Sequence, residues 1–352
     1  MSEAAERFAD TVRAASAAKQ ALVLRGGGTK DFYGLPAQGE VLDTRAHAGI
    51  VDYDPSELFI TARCGTPLAE IETALAERRQ MLAFEPPHFG DGATLGGMVA
   101  AGLSGPRRQA AGAVRDFVLG VKIVDGRGQL LRFGGQVMKN VAGYDVSRLM
   151  AGAMGTLGLI VEASIKTLPV PFAEQSIRLE MPEARAIEAL NRWSGRPLPI
   201  SASCHENDQL SLRLSGAQAA VRAARENLGG EQLDNAEDFW ASVREQTHPA
   251  FAGEAPLWRI SVPSATPSLD LPGHQVIEWG GAVRWLSSNA DARTIREAVQ
   301  RAGGHATLFR RGDKSAGVFQ PLAPALAKLH RNLKQAFDPE GIFNRGRMYR
   351  DF

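Results

Sequence analysis

Two glycine-dense stretches hold the groups best suited to bind an anion. The first is Arg25-Gly26-Gly27-Gly28-Thr29-Lys30, and the second runs from Phe84 to Gln109, nearly free of negative charge. Glycine lets the backbone come close to a ligand and take positive φ, so successive amides can turn toward the same phosphate oxygens. Two such stretches on one polypeptide suggest two walls around one diphosphate. Neither is a standard nucleotide loop. The P-loop pattern is absent, and GGGTKD leads into Phe32-Tyr33-Gly34-Leu35-Pro36, not into the helix a Rossmann turn needs. The chemistry expected here is a diphosphate held by main-chain N–H groups.

The elements that position these stretches follow from periodicity. Phe8, Val12 and Ala15 recur at helical spacing before the β run Ala21 to Leu24, which ends at the first glycine cluster. Val41 to Asp43 and Leu58 to Thr61 read as strands, Thr66 and Pro67 open a helix with Leu68, Ile71 and Leu75 on one face, and a strand from Met81 enters Pro86-Pro87. From Phe117 to Leu131 the pattern is strand, Asp125-Gly126 turn, strand, and a further strand holds Gly158 to Val161. Pro169 and Pro171 mark a boundary, so residues 1–172 form the expected first domain. Beyond it, strands and helices alternate twice (Ser176 to Leu228, then Trp258 to Phe309), which favours an antiparallel sheet with helices on one side. That gives a second domain over 173–315. Leu322, Leu326, Leu329 and Leu333 then share one face of a last helix, stopped by Asp338-Pro339-Glu340-Gly341, in a C-terminal segment over 316–352.

Composition limits the partners. The 352 residues are 44% hydrophobic, enough for two ordinary cores, and 40 basic against 39 acidic residues leave no field that favours nucleic acid or an anionic membrane. The acidic opening MSEAAERF and the lack of an 18-residue apolar run argue against a secretory signal or direct membrane insertion, so a cytoplasmic location is expected. Cys64 and Cys204 match no metal or redox spacing and read as buried structural thiols.

A third block, from Gly134 through GYDVSRLMAGAMGTLGLIVEASIKTLP, completes a pattern. Gly26 to Thr29, Thr94 to Gly97, Ser104-Gly105, Gly143 to Asp145 and Gly155 to Gly158 occur in the order found in flavoproteins of the vanillyl-alcohol oxidase and p-cresol methylhydroxylase type, which the chain resembles. The phrases EPPHFGDGATLGG, VMKNVAGYDVSRLMAG and FDPEGIFNRGRM look, more narrowly, like the FAD-binding subunits of bacterial glycolate oxidases. The resemblance implies an α+β fold: a two-subdomain FAD-binding domain of the p-cresol methylhydroxylase type, then an antiparallel-sheet, ferredoxin-like α+β domain, with the C-terminal tail returning to the FAD domain.

It also implies site residues. Gly26, Gly27, Gly28 and Thr29 would wrap the FAD diphosphate; Gly92, Thr94, Gly96, Gly97 and Ser104 would lie along the other side and under the flavin. The main chain of Ile160 would meet the adenine end, and Asn344 in the tail is a further cofactor candidate. Relatives that tether the flavin place a histidine directly after the first glycines, where this chain has Thr29, so FAD is expected to be non-covalent.

Substrate chemistry is less well provided for. Oxidising a 2-hydroxy acid needs a base or metal for the hydroxyl proton and a cation for the carboxylate. Related D-2-hydroxy-acid dehydrogenases carry a Gly-Asp-Gly-Asn-x-His metal segment that has no counterpart here, and the seven histidines show no ligand spacing, so no metal is expected. Three catalytic candidates stand out: His88 between Pro87 and Phe89, Arg107 followed by Arg108, and Lys139 followed by Asn140. The expected role is an FAD-binding subunit of a glycolate oxidase, assembled with a larger catalytic flavoprotein subunit and an iron–sulfur subunit that could bring it to a membrane. An autonomous 2-hydroxy-acid dehydrogenase and a non-redox scaffold subunit are the rival readings.

Overall fold

The computed structural model describes residues 3–136 and 145–351, so Lys139, Asn140, Gly143 and Tyr144 lie outside the described residues. The chain divides into two units, one made of Met1–Leu103, Ala113–Pro169 and Pro321–Phe352, the other of Ser104–Gly112 and Val170–Gln320.

The first unit contains two sheets of different kinds. Strands β1 (Leu22–Arg25) and β2 (Glu40–Asp43) pair in parallel, and helix α1 (Glu3–Ala18) packs its Ala5, Ala9, Val12 and Ala15 face on a core with Leu22, Val124, Leu159, Val161, Ile342 and Phe343. That face follows the i, i+4 spacing visible in the sequence. The larger sheet is antiparallel and has the order β3-β4-β8-β6-β7; its strands are β3 (Ile50–Asp54), β4 (Phe59–Arg63), β6 (Val118–Val124), β7 (Leu130–Gly134) and β8 (Leu159–Lys166). A short pair, β5 (Gln80–Met81) with β9 (Leu168–Pro169), closes the end of this unit's middle segment. The helix expected after Pro67 is α2 (Leu68–Ala76), with Leu68, Ile71 and Leu75 buried.

The second unit carries an eight-stranded sheet among the described residues, in the order β13-β10-β12-β11-β15-β16-β14-β17. Its strands are β10 (Ala173–Glu180), β11 (Ile200–Glu206), β12 (Gln209–Gly216), β13 (Glu231–Gln232), β14 (Leu257–Ser261), β15 (His274–Glu278), β16 (Val283–Ser287) and β17 (His305–Arg310). The two halves of the repeat meet where β11 pairs with β15, Cys204 opposite Glu278 and His205 opposite Ile277. Every strand pairing in it is antiparallel, and helices such as Glu183–Ser194 and Ala292–Arg301 cover it, so the α+β class holds. The segment Ser104–Gly112 belongs to this unit because its side chains bond there. Arg107 Nη2 meets Glu174 Oε2 at 2.7 Å, Gln109 Oε1 accepts from Ser203 Oγ at 2.8 Å, and Trp279 Nε1 donates to Gly105 O at 3.1 Å.

The last helix, Pro324–Phe337, departs from a buried leucine stripe. Leu326 and Leu329 are 50% and 53% exposed, and the buried side chain on the helix is Lys334. Its ammonium donates to Asp338 Oδ2 at 2.7 Å, Thr156 O at 2.8 Å and Phe343 O at 2.9 Å, so all three donors are used. Asp338 in turn accepts from the Ile342 and Phe343 amides at 3.0 and 2.8 Å. A buried ion pair with its remaining donors and acceptors satisfied fixes the end of this helix where an apolar face was expected.

Candidate functional site

The first unit holds a cleft of about 900 Å³ including its open mouth, lined by the first glycine loop, α3 (Leu95–Ala101), the 154–160 stretch and the C-terminal tail. This is within the usual range for a site that takes a large organic ligand. Strand β1 aims straight into it and ends at Arg25, whose carbonyl is closed off by the Thr44 amide at 2.9 Å. The next four residues, Gly26, Gly27, Gly28 and Thr29, line the cleft, and none of their amides donates a hydrogen bond among the described residues. Buried or half-buried amides are seldom left without a partner. Four in succession beside a cleft form an anion-binding concavity.

Glycine is required here by close approach. A Cβ on Gly27 would stand 1.5 Å from the carbonyl oxygen of Gly92, and one on Gly26 would stand 2.4 Å from Thr94 Oγ1. The two glycine stretches therefore touch each other directly, and the second buttresses the first. Gly92 meets Gly27 in this way but is not among the cleft-lining residues.

Gly96 and Gly97 lie inside helix α3, where a loop was the expectation. Thr94 is its N-cap, and its side chain accepts from the Gly97 amide at 3.3 Å. The amides of Leu95 and Gly96 donate to Thr66 O and Cys64 O at 2.9 and 2.8 Å. Gly96 sits in a helix because the helix crosses the end of β4: a Cβ on it would lie 2.8 Å from the Cys64 Cβ and 3.0 Å from its carbonyl oxygen. Thr94, Gly96 and Gly97 all line the cleft, but the amides of Gly96 and Gly97 are already bonded within the fold.

At the far end the cleft is apolar. Leu159 and Ile160 line it beside Cys64, whose thiol burial pushes up to about 12, so it acts as a small apolar filler. Cys204, in the second unit, is likewise buried and raised by burial. Asn344 also lines the cleft, with its amide occupied on both sides. Its Oδ1 accepts from the Leu24 amide at 2.8 Å, and its Nδ2 donates to Met154 O at 2.7 Å. It staples the tail to β1.

The remaining candidates stand elsewhere. His88 is not among the cleft-lining residues; its Nε2 lies 3.1 Å from Glu72 Oε2, and its carbonyl accepts from Lys30 Nζ at 3.1 Å. Ser104 and Arg107 belong to the second unit. Arg107 is buried against Glu174 and also donates to Ser215 Oγ at 3.1 Å. Burial pushes the Glu174 carboxyl up, but Arg213 and Arg107 outweigh it and hold the group below the usual range. Lys139 is outside the described residues. Arg25, Lys30, Asp31 and Arg347 also line the cleft, beyond the expected site residues. Arg25 and Lys30 flank the first glycine cluster, and Arg347 is only three residues beyond Asn344. Among the described residues, no group of three or more His, Cys, Asp and Glu stands where it could hold a metal ion, and no helix is long and apolar enough to cross a membrane.

This arrangement suits a dinucleotide with a diphosphate, an apolar ring system and adenine. Comparison with known proteins agrees. Residues 2–134 match the family described as "FAD binding domain". The chain is 53% identical over 340 residues to glycolate oxidase subunit GlcE of Escherichia coli, covering 97% of this chain and 96% of that one. It is 32% identical over 158 residues to glycolate oxidase subunit GlcD of Bacillus subtilis, covering 44% of this chain and 33% of that one. A solved structure of alkyldihydroxyacetonephosphate synthase shares the fold, with a TM-score of 0.68 at 16% identity over 96% of this chain and 74% of that one. Aligned over 97% of its length with the E. coli subunit and carrying an FAD-binding domain, the chain belongs to the GlcE family of glycolate oxidase subunits.

Proposed function

We propose that this chain holds FAD non-covalently as one subunit of a complex that oxidises glycolate to glyoxylate. A larger flavoprotein subunit carries out the substrate chemistry, an iron–sulfur subunit accepts electrons, and the flavin in this chain serves electron transfer or assembly. The observation that carries the reading is the row of four undonating amides, Gly26 to Thr29, in a chain that matches a glycolate oxidase subunit along its whole length. When bound, FAD supplies a two-electron acceptor.

The chain's own groups do the rest. The amides of Gly26 to Thr29 bind and orient the diphosphate, and Leu159, Ile160 and Cys64 keep water from the apolar end. Thr29 offers no imidazole for a covalent link, so acid precipitation of the purified protein is expected to release the yellow colour into solution. Colour kept in the pellet would contradict non-covalent binding.

The division of labour is supported by the commitments of the catalytic candidates. Arg107 is paired with Glu174 and donates to Ser215, which leaves it poorly placed to clamp a substrate carboxylate. The test is anaerobic mixing of the isolated chain with glycolate. Its flavin is expected to stay oxidised, and to bleach only when the partner subunits are added. Rapid bleaching of the isolated chain would favour the second reading, an autonomous 2-hydroxy-acid dehydrogenase. One observation favours that alternative: Glu72 holds His88 at 3.1 Å, the arrangement of a base with its orienting carboxylate. A colourless purified protein would point to a scaffold without flavin.

A further inference from the structure

The charged residues lining the cleft are Arg25, Lys30, Asp31 and Arg347. Three cations against one carboxylate leave two positive charges, in a chain whose formal net charge is +1. A diphosphate diester carries two negative charges, so the local excess matches the ligand and does not reflect the overall composition.

The three cations are not equivalent. Arg25 is tied to Asp31, Nε at 2.9 Å and Nη2 at 2.8 Å from Oδ2. Lys30 reaches His88 O at 3.1 Å and Thr29 Oγ1 at 3.4 Å, and stands 5.6 Å from the centre of the Phe89 ring. Arg347 comes from the opposite direction, on the C-terminal tail. Its Nη2 donates to Lys30 O at 3.1 Å and Asp31 O at 3.2 Å, while its Nε and Nη1 have no partner among the described residues. Its backbone is fixed on both sides, the amide to Asn344 O at 3.0 Å and the carbonyl to the Leu35 amide at 2.9 Å. The guanidinium is therefore preorganised at the end of the Gly26 to Thr29 row with donors to spare.

We propose that Arg347 is a cofactor-anchoring residue, which uses its remaining guanidinium donors on the diphosphate of FAD and so makes the C-terminal tail the second half of the phosphate site. The inference rests on the FAD reading above. Burial draws the Arg347 pKa down while Asp31 acts against it; a desolvated cation of this kind gains from an added anion. Arginine suits the position because its planar fork can hold two main-chain carbonyls on one edge and phosphate oxygens on another.

The test compares flavins with and without phosphate on the full deflavinated chain, read by flavin fluorescence. For Arg347→Met the Kd for FAD is expected to rise about 10- to 100-fold, the range for a lost charge-assisted hydrogen bond, while the Kd for riboflavin stays within about twofold. Arg347→Lys keeps the charge and is expected to recover most of the FAD affinity. An unchanged FAD affinity in Arg347→Met, or equal losses for FAD and riboflavin, would overturn the proposal. Wild-type protein that binds no FAD would remove the cofactor reading itself, a distinct failure. A second measurement needs no variant: adding ADP to the wild-type apoprotein is expected to slow amide hydrogen exchange across 344–348, and unaltered exchange there would overturn the proposal even if Arg347→Met failed to fold.

Discussion

The runs Gly26 to Thr29 and Leu95 to Met98 border the same cleft, and both owe their place there to glycine. They differ in the fate of four consecutive amides. In the first run none donates among the described residues; in the second all do, to Thr66 O, Cys64 O, Thr94 Oγ1 and Thr94 O. The glycines of the first run leave a polar surface open for an anion. Gly96 of the second lets a helix cross a strand end at a distance no side chain would permit. Glycine density marks a close approach, and only an account of the amides tells whether the approaching group is a ligand or the protein's own backbone.

Four substitutions can break or sharpen this contrast. Gly27→Ala comes first, because its methyl group would overlap the Gly92 carbonyl where the two runs touch. Loss of FAD affinity by about 100-fold or more is expected in a fluorescence titration, with a reduced Tm, since relieving such an overlap must shift the cradle itself. Gly96→Ala is expected to lower Tm by about 3–8 °C while the folded protein keeps FAD affinity within about fivefold. A loss of affinity as large as that of Gly27→Ala would erase the distinction between the runs. Thr94→Ala removes the α3 N-cap and should reduce Tm by about 2–4 °C, with Thr94→Ser restoring it. If the alanine variant instead loses flavin without losing stability, the threonine hydroxyl belongs to the cofactor. The smallest effect is expected for His88→Ala, with FAD affinity within about twofold, because its partner Glu72 is partly solvated and such pairs contribute little. A collapse of glycolate-driven flavin reduction in this variant would reinstate His88 as a base.

Much of this was legible in the sequence. The first loop was placed at the end of a β run, and the structure puts it after β1; most helices and strands with strong apolar periodicity appeared within a few residues of their expected bounds. The misses have separate causes. Strand β11 reads Ile-Ser-Ala-Ser-Cys-His-Glu and lacks alternation, because it is buried on both faces with its serines bonded: Ser201 to Ser215 at 2.7 Å and Ser203 to Gln109 at 2.8 Å. Helix α3 was hidden by its two glycines. In the last helix the leucine pattern pointed to an apolar contact, whereas the fold used Lys334. For the site, the glycine cluster pointed to the amides, with Arg25 and Lys30 at its ends, but not to Arg347. Arg347 reaches Lys30 and Lys334 reaches Thr156 across more than 170 positions, and no local spacing encodes such pairings.

The Asn344 staple has a consequence for synthesis. Leu24 and Asn344 share a hydrogen bond across 320 positions, and the cofactor unit is assembled from three separated stretches of chain. During translation the segment Val170–Gln320 is out of the ribosome while β1 still lacks its tail partner. The nascent chain can thus complete its eight-stranded sheet first, whereas the flavin cleft closes only when the residues beyond Phe343 have emerged. Completion of the cleft is by this geometry a late step, which follows synthesis of the whole second unit.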